Sequence, residues 1–399
     1  MATAQVDSLT IAAKAPSHVL VLEASAGFDS NVIFNDLVLD LYRGRNLSRE
    51  VRDRSYDALG NANRGGYLLD MNLAYTWGRW LLGRDKWRPR INVAYRSQLG
   101  LRFSRDAFAL AFRGNKAFEG RAASIGPGTF QHVAYQEIGF GVEDHASGSF
   151  LAVSLVGGNR LRKAVINQAD LYTATDGRFV ELDLDGNYRR SDTSTVFKPK
   201  GIGAALSFSW RHPVHAAGQE MVVTVGAEDI GFISWGRGAG TIGKDTLIRY
   251  DGFTAQSILD LDGLIPEEEN LRDSLGLGYT PGSFVTLLPG LVHARLEFGK
   301  ARRGIGHVEH RAYSLSVAHR FSPGFVPCVS AVRHVALSRA LSLGAGVGYG
   351  GYGGFRLGLG LEARLGKQVA LTVGTDNAVG LVSSRSRGMA LATRLEMAW

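Results

Sequence analysis

Apolar and polar residues alternate along much of this chain, and this pattern restricts its fold more than any other feature. From Ile91 to Phe103 the odd positions are apolar with one exception, and the even positions are Asn, Ala, Arg, Gln and Gly. A period of two places successive side chains on opposite faces of a β-strand. The same alternation recurs at residues 69–77, 180–189, 202–211, 313–321 and 355–362. The chain is therefore predicted to be all-β and built from amphipathic strands.

The length of these strands and the aromatic residues at their ends favour a membrane barrel. Many strands run for about ten residues or more, whereas strands of soluble sheets usually have roughly 5–6 residues and tilted membrane strands about 9–11. Several apolar faces end in an aromatic residue, as in the two aromatic girdles of a membrane barrel. These residues are Trp77, Tyr95, Trp210, Trp235, Tyr349 and Trp399. We predict a transmembrane antiparallel β-barrel of about 14 strands, within a range of about 12–16, with a soluble multi-sheet protein as the alternative.

Composition excludes several other classes of protein. The mean hydropathy of the 399 residues is −0.03, and no apolar run approaches the roughly 20 residues of a membrane helix. A helical membrane protein is therefore excluded, whereas alternating strands average to a neutral hydropathy. The single cysteine, Cys328, excludes an internal disulfide and a zinc site made of several cysteines.

The last predicted strand resembles the C-terminal strand of bacterial outer-membrane barrels. Leu395, Met397 and Trp399 share its apolar face. In those barrels the terminal aromatic residue is part of the signal that the barrel-assembly machinery recognises. The resemblance implies a location in the bacterial outer membrane, with outer-membrane lipid, lipopolysaccharide and the barrel-assembly machinery as partners.

The N-terminal part of the chain is predicted to be organised differently from the rest. Ala2-Thr3-Ala4 matches the small-residue pattern of a signal-peptidase site, so we assign residues 1–4 to a remnant of a cleavage region. Residues 5–62 are predicted to contain a first strand and a plug helix near Leu47–Leu59, and residues 63–399 to form the barrel. A second helix is predicted at Pro266–Leu271, where acidic residues follow a proline.

Short sequence blocks resemble a family of uncharacterised outer-membrane barrels from Bacteroidota. The blocks are Gly114–Gly120, Asp170–Ala174, Ala227–Trp235 and Tyr250–Phe253. The residues that carry the match best are Gly114, Asn115, Phe118, Gly120, Asp229, Gly231 and Phe232. A more distant similarity is to the fatty-acid-channel barrels and their relatives in type nine secretion, which implies 14 strands and an N-terminal plug. The family has no agreed biochemical activity, so the resemblance implies a location and a fold.

The glycine-rich stretch Gly346–Gly351 fits the dinucleotide-binding pattern G-x-G-x-x-G. That fingerprint requires a helix directly after it, whereas residues 355–361 continue as an alternating strand. We interpret the glycines as one face of a strand, where missing side chains permit close packing of a plug, a loop or a partner.

Signals for metal binding, catalysis and nucleic-acid binding are weak. The pairs His212/His215 and His307/His310 are three residues apart, which on a strand directs the two rings to opposite faces. Glu181, Asp183 and Asp185 share a face and could bind calcium, but Arg189 on the same face favours a ladder of lumenal charges. Arginines are scattered without the stripe that nucleic-acid binding uses. We expect no metal, no cofactor, no nucleic-acid partner and no enzymatic activity.

Polar residues on the inward faces of the predicted strands suggest what the barrel does. They are Arg96, Arg102, Glu137, Arg211 and Glu228. The first hypothesis is a porin-like, polar-lumen passage or ligand-binding barrel with an N-terminal plug. The alternative is a non-conducting structural or docking barrel that partners a secretion or envelope complex.

Overall fold

The computed structural model describes residues 17–78, 87–192, 198–216, 218–251, 280–303, 309–366 and 368–399. Its strands in chain order are β1 (His18–Ser30), β2 (Asn63–Trp77), β3 (Trp87–Phe103), β4 (Ala122–Ser124), β5 (Gly128–Asp144), β6 (Phe150–Thr173), β7 (Phe179–Arg190), β8 (Gly201–Ala216), β9 (Gln219–Trp235), β10 (Gly240–Asp251), β11 (Thr280–Pro281), β12 (Phe284–Leu287), β13 (Leu291–Arg303), β14 (Glu309–Arg320), β15 (Val326–Ala336), β16 (Leu341–Gly351), β17 (Phe355–Leu365), β18 (Val369–Thr375) and β19 (Met389–Ala398). The helices are α1 (Asn35–Tyr42), α2 (Arg49–Asp57), α3 (Arg105–Arg113) and α4 (Ala378–Val382), and Asn115–Phe118 form a 3-10 helix.

Fourteen of the described strands form a closed antiparallel barrel, as the sequence predicted. Around the ring the order is β1, β2, β3, β5, β6, β8, β9, β13, β14, β15, β16, β17, β18 and β19. The ring closes between β19 and β1, where the register runs from Val19 opposite Ala398 to Phe28 opposite Met389. No sheet edge is left open in the barrel wall at this junction, because each strand is paired on both sides.

The other five described strands extend the sheet beyond one end of the barrel. β6 has 24 residues, and its first part pairs with β8 while its second part, from Arg162 onward, pairs with β7. β7 pairs in turn with β10. Residues 180–189 therefore alternate without belonging to the barrel wall, because alternation reports the faces of a strand and not its neighbours.

The two faces of the wall follow the predicted pattern. On β3 the outward residue Val93 is 46% exposed, whereas Arg96 and Gln98 of the inward face are buried. Trp77, Trp210, Tyr349 and Trp399 lie on the outer surface near the ends of their strands. Trp235 was wrongly assigned to this set, because it is almost fully buried inside the barrel.

The two ends of the barrel differ. At the end that we call the turn end, the strands are joined by short connections such as 145–149 and 337–340, and both His18 and Trp399 lie there. The other end, the loop end, carries the connections 31–62 and 104–127, which contain α1, α2 and α3. The barrel is therefore polarised along its axis.

The helices at the loop end form where the sequence supplies their caps. Ser48 accepts a hydrogen bond from the Val51 backbone and begins α2, so the helix predicted within residues 47–59 is confirmed. Gly114, with φ of 76°, ends α3. Among the described residues, no helix has the length and apolar character required to cross a membrane. The helix predicted at 266–271 lies outside the described residues.

The α2 helix packs with α1 and α3 around Leu37, Leu59 and Phe108. Its charges pair within this helical layer, with Arg54 bound to Asp36 and Asp53 to Arg113. Within the predicted N-terminal segment, residues 18–30 form wall strand β1 and residues 35–57 contain the helices of the first connection. A plug formed by residues 5–62 stays a prediction, because residues 5–16 lie outside the described residues.

Candidate functional site

The inward face of β2, β3 and β5, which we call the charged wall, carries an arginine surrounded by carboxylates. Arg96 Nη1 donates to Glu137 Oε1 at 2.6 Å and to Asp229 Oδ1 at 3.0 Å, and Arg96 Nε donates to Asp70 Oδ2 at 3.2 Å. Asp229 lies on β9, four strands away from β3 around the ring. The Arg96 cluster, formed by these four residues, therefore crosses the lumen instead of following the wall.

A bulge in β9 turns two consecutive acidic residues toward the lumen. The register between β8 and β9 shifts between Leu206 and Phe208, so that Glu228 and Asp229 both lie opposite Ser207. Asp229 has φ of 56°, and its backbone N–H donates to Ser207 Oγ at 3.0 Å. A regular strand would direct these two side chains to opposite faces. The bulge thus adds a second carboxylate to the lumen.

The Arg96 cluster is held in place by a buried tyrosine. Tyr135 of β5 is completely buried, and its hydroxyl donates to Asp229 Oδ2 at 2.5 Å. Both carboxylate oxygens of Asp229 are therefore hydrogen-bonded, one to Arg96 and one to Tyr135. Such a fully bonded carboxylate is stable in a buried position.

Below the Arg96 cluster lies a cavity of about 530 Å³. It extends from Arg96 and Glu228 to Gly148 in the β5–β6 connection at the turn end. We call this cavity the vestibule. Its lining, as far as the structure describes the chain, includes the acidic residues Glu23, Asp70, Glu137, Glu143, Glu228 and Glu396 and the basic residues Arg90, Arg96 and Arg394.

Near the turn end the charges of the vestibule are paired. Glu143 accepts hydrogen bonds from Arg88 at 2.9 Å, from Arg90 at 2.7 Å and from the Thr76 hydroxyl at 3.0 Å. On the other side of the vestibule, Arg394 binds both Glu23 and Glu396. In this half of the vestibule the arginines and carboxylates are paired with each other, so few charged groups are available to bind a ligand.

A separate part of the barrel wall carries many glycines on its inward face. On β16, β17 and β18 the inward positions include a group that we call the glycine wall: Gly344, Gly346, Gly348, Gly358, Gly360 and Gly374. A Cβ at Gly360 would find no atom closer than 4.0 Å. The stretch Gly346–Gly351 is part of strand β16 and is followed by β17, so no dinucleotide-binding helix follows it. The predicted close packing of a plug or partner on this face stays a prediction.

At the loop end, described connections fold into the lumen and occupy part of it. Gly66 and Gly100 lie opposite each other on β2 and β3, and a Cβ at either position would collide with the side chain of Tyr352 from the β16–β17 connection. The Tyr352 hydroxyl donates to Ser322 Oγ at 2.8 Å, and Arg64 donates to the Tyr352 carbonyl oxygen at 3.0 Å. Burial raises the pKa of Tyr352, so the phenol stays a neutral donor.

Two further contacts close the same end. Gly158 and Gly201 also lie opposite each other, and together they make room for the Trp235 ring. Trp235 Nε1 donates to Thr286 at 2.8 Å, which explains how this residue is buried inside the barrel. Arg320 of β14 reaches across the lumen and donates to Gln98 of β3 at 3.1 Å. The sequence signal for these aromatic contacts was the presence of single glycines on an otherwise polar inward face. This signal was not recognised from the sequence.

The structure brings together some of the residues that the sequence singled out and separates others. Arg96, Glu137 and Glu228 line the vestibule. Arg211 lies on β8 and pairs with Glu297 of β13 at 3.4 Å, and Arg102 is exposed near the loop end of β3. The lumenal roles of these five residues stay predictions.

The residues of the family blocks lie at different places in the structure. Gly114 and Gly120 both have positive φ and flank the 3-10 helix, whose Phe118 is buried. Gly231 lies against the backbone of Ala204, and Phe232 points outward and is 44% exposed.

The three residues predicted as an assembly signal lie on the last wall strand or directly after it. Leu395 belongs to the outer surface, Met397 follows it on the same face, and the Trp399 ring stacks on His18. Their recognition by an assembly machinery stays a prediction.

Comparison with known families identifies the chain. The model of a family of unknown function, DUF5723, matches residues 145–376. The chain belongs to this family. The matched stretch includes Glu228 and Asp229, and it excludes Gly114–Gly120. No curated protein matches the sequence. The expected origin from Bacteroidota and the relation to type nine secretion stay predictions.

Solved structures with a detectable likeness are barrels of low identity. The toluene transporter TodX of P. putida is 10% identical, with 97% of this chain and 91% of that chain covered and a TM-score of 0.40. The translocator domain of the autotransporter NalP from Neisseria meningitidis is 8% identical, with coverages of 98% and 92% and a TM-score of 0.32. A FadL homologue from Pseudomonas aeruginosa is 10% identical, with coverages of 96% and 89% and a TM-score of 0.32.

Proposed function

We propose that this protein is a bacterial outer-membrane barrel that binds a polar ligand in the vestibule. The observation that carries the proposal is the cavity of about 530 Å³, which is lined by charged and amide side chains together with apolar residues such as Val21 and Phe150, and is bounded by the Arg96 cluster toward the loop end. A cavity of this size is in the range of small-molecule sites. Its charged side chains argue against a ligand made only of hydrocarbon. Enzymatic activity forms no part of the proposal.

The outer surface supports the membrane location. Large apolar side chains such as Leu155, Ile202 and Leu359 are about half exposed or more on the outer face. Exposed apolar side chains on most wall strands are costly in water and favourable in lipid. We further propose that Leu395, Met397 and Trp399 direct assembly and that lipid and lipopolysaccharide surround the wall.

The polarity of the barrel supports an entrance from the periplasm. In outer-membrane barrels the short turns face the periplasm and the long connections face outward. The vestibule reaches Gly148 at the turn end, whereas Tyr352 and Trp235 occupy the lumen at the loop end. A ligand would therefore enter from the periplasmic side and meet a closed passage.

Conductance across planar bilayers tests this proposal. We expect the wild-type protein to show little or no steady conductance. The Y352A/R320Q variant should conduct more than the wild type, because it removes the Tyr352 ring from the Gly66–Gly100 contact and the bridge from Arg320 to Gln98, while Trp235 and the Arg96 cluster remain. The matched control is Y349A, which removes a neighbouring tyrosine that points outward and is 61% exposed. Steady conductance of the wild type would show an open passage and overturn the closed vestibule.

A docking barrel is the second candidate, and the closure at the loop end also favours it. A barrel that serves as a scaffold for a secretion or envelope complex requires no passage. The two functions predict different conductances for the Y352A/R320Q variant, whose folding can be checked by heat-modifiable gel mobility. A folded variant that does not conduct ions, together with a protein that co-purifies in stoichiometric amount, would favour the docking barrel.

A further inference from the structure

The upper part of the vestibule, around the Arg96 cluster, contains more carboxylates than the described arginines neutralise. Asp70, Glu137 and Asp229 all bond to Arg96. Glu228 adds a fourth carboxylate through the β9 bulge, and it makes no hydrogen bond or salt bridge to any described residue. Arg320 is near this group, but its described hydrogen bonds go to Gln98 and to the Pro289 carbonyl oxygen. Uncompensated buried charge of this kind is costly unless a counter-charge joins it.

Two further carboxylate oxygens in this part of the vestibule have no hydrogen-bond partner among the described residues. They are Glu137 Oε2 and Asp70 Oδ1. The Glu137 side chain is only 2% exposed and is part of the cavity lining, and protein atoms enclose its free oxygen. Ser154 is close enough to interact with this carboxylate, although it forms no hydrogen bond of normal geometry with Oε2. Buried acceptors without a donor cost free energy, so this cluster of carboxylates adds to the unfavourable negative charge around Glu228.

The arrangement does not suit a metal ion. In the part of the chain that the structure describes, no three acidic, histidine or cysteine side chains converge closely enough to hold one. Calcium requires six to eight oxygen ligands at short distances. An organic cation instead distributes its charge over several N–H donors and can reach acceptors that lie farther apart.

We propose that the upper vestibule binds an organic cation carrying ammonium or guanidinium groups, with Glu228 as its main counter-charge. This inference rests on the proposed ligand-binding function and adds the chemical class of the ligand. Glu228 is the best-placed residue, because no described side chain bonds to it. Arg96 keeps the other carboxylates in position while it leaves one oxygen of each of Glu137 and Asp70 free.

Calorimetric titration of the purified protein in detergent tests the proposal, with spermidine and arginine amide as probes. We expect at least one probe to bind the wild type and E228Q to lower its affinity by about tenfold, the loss expected for one charge-assisted hydrogen bond. The matched control is E362Q. Glu362 lies on β17 of the glycine wall, pairs with Arg364 at 3.0 Å and is not part of the vestibule lining. Its substitution should leave the affinity unchanged.

Titrations with citrate and with calcium complete the experiment. If citrate binds and neither cation does, the ligand class is wrong while a ligand-binding vestibule is retained. If neither the cations nor citrate bind, the inference fails, and the conductance of Y352A/R320Q then decides separately whether the closed vestibule exists. Wild-type affinity in a folded E228Q variant, or displacement of spermidine by micromolar calcium, would also overturn the proposal.

Discussion

The charged wall and the glycine wall line separate parts of one lumen, and their inward residues differ. On β3 and β5 the side chains of Arg96, Glu137 and Tyr135 are long and almost fully buried, and Arg96 and Tyr135 each donate across the lumen to Asp229 of β9. On β17 and β18, Gly360 and Gly374 expose backbone to the same lumen. The charged wall lines the vestibule with charged side chains, whereas Gly374 is the one described residue of the glycine wall in that lining. The two walls therefore contribute unequally to the vestibule.

The largest expected effect is the loss of Arg96 from the charged wall. R96M leaves Asp70, Glu137 and Asp229 without their shared cation, and breaking a buried ion pair in this way costs about 3–5 kcal/mol. We expect the free energy of unfolding, measured by urea titration with tryptophan fluorescence, to fall by this amount. Arg364 provides the comparison near the glycine wall, because R364M removes a pair with Glu362 whose side chains are 15% and 19% exposed, and it should cost less than R96M.

A second variant checks the cause of the R96M effect. Adding D229N removes one of the unpaired carboxylates, and asparagine tolerates the positive φ at this position. The double variant R96M/D229N should therefore be more stable than R96M alone. If it is less stable, the Arg96 cluster stabilises the barrel by packing and not by charge.

The outer faces of the two walls should behave alike, in contrast to their inner faces. Val93 behind the charged wall is 46% exposed, and Leu359 behind the glycine wall is 49% exposed. Arginine on a lipid-facing position near the bilayer midplane costs about 2–4 kcal/mol, so V93R and L359R should both lower the free energy of unfolding in lipid bilayers by similar amounts. A tolerant Val93 or Leu359 would show that the outer face of that wall does not contact lipid.

The smallest expected effect comes from the same substitution in each wall. G141A places a Cβ against the Leu151 carbonyl oxygen and 2.7 Å from Ala152 Cα, and such overpacking costs about 1–3 kcal/mol. G360A meets its nearest atom at 4.0 Å and should change the free energy of unfolding by less than about 0.5 kcal/mol. Equal losses in the two variants would mean that the glycine wall is packed as tightly as the charged wall.

The alternation of the sequence predicts the faces of the strands well, and it predicts partners poorly. Ile91–Phe103 has the predicted outward and inward residues because the period of two depends only on the local backbone. Residues 180–189 alternate equally well but belong to β7, outside the barrel wall. Whether a strand belongs to the barrel ring depends on its pairing partners, and the sequence of a single strand does not specify those partners.

The candidate site shows the same limit. Glu137 and Glu228 could be identified as inward residues, but the β9 bulge and the contact of Tyr352 with Gly66 and Gly100 could not. A bulge adds one residue to a strand, so the side chains beyond it point to the face opposite to the one that alternation predicts. Trp235 was therefore wrongly placed on the outer surface. Contacts across a lumen join residues far apart in sequence, and no local pattern specifies them.

The pairing of β1 with β19 has a consequence for the order of events during biogenesis. Val19 finds its partner in Ala398, so this contact must wait until every intervening wall strand has been synthesised. Contacts between such distant residues form slowly, because the whole chain between them must be brought together. Until then β1 exposes an unpaired edge that invites aggregation. The open edge of β1 must therefore be protected from other chains until that pairing forms, and joining residues 18–30 to residues 389–398 is the step that ends this need.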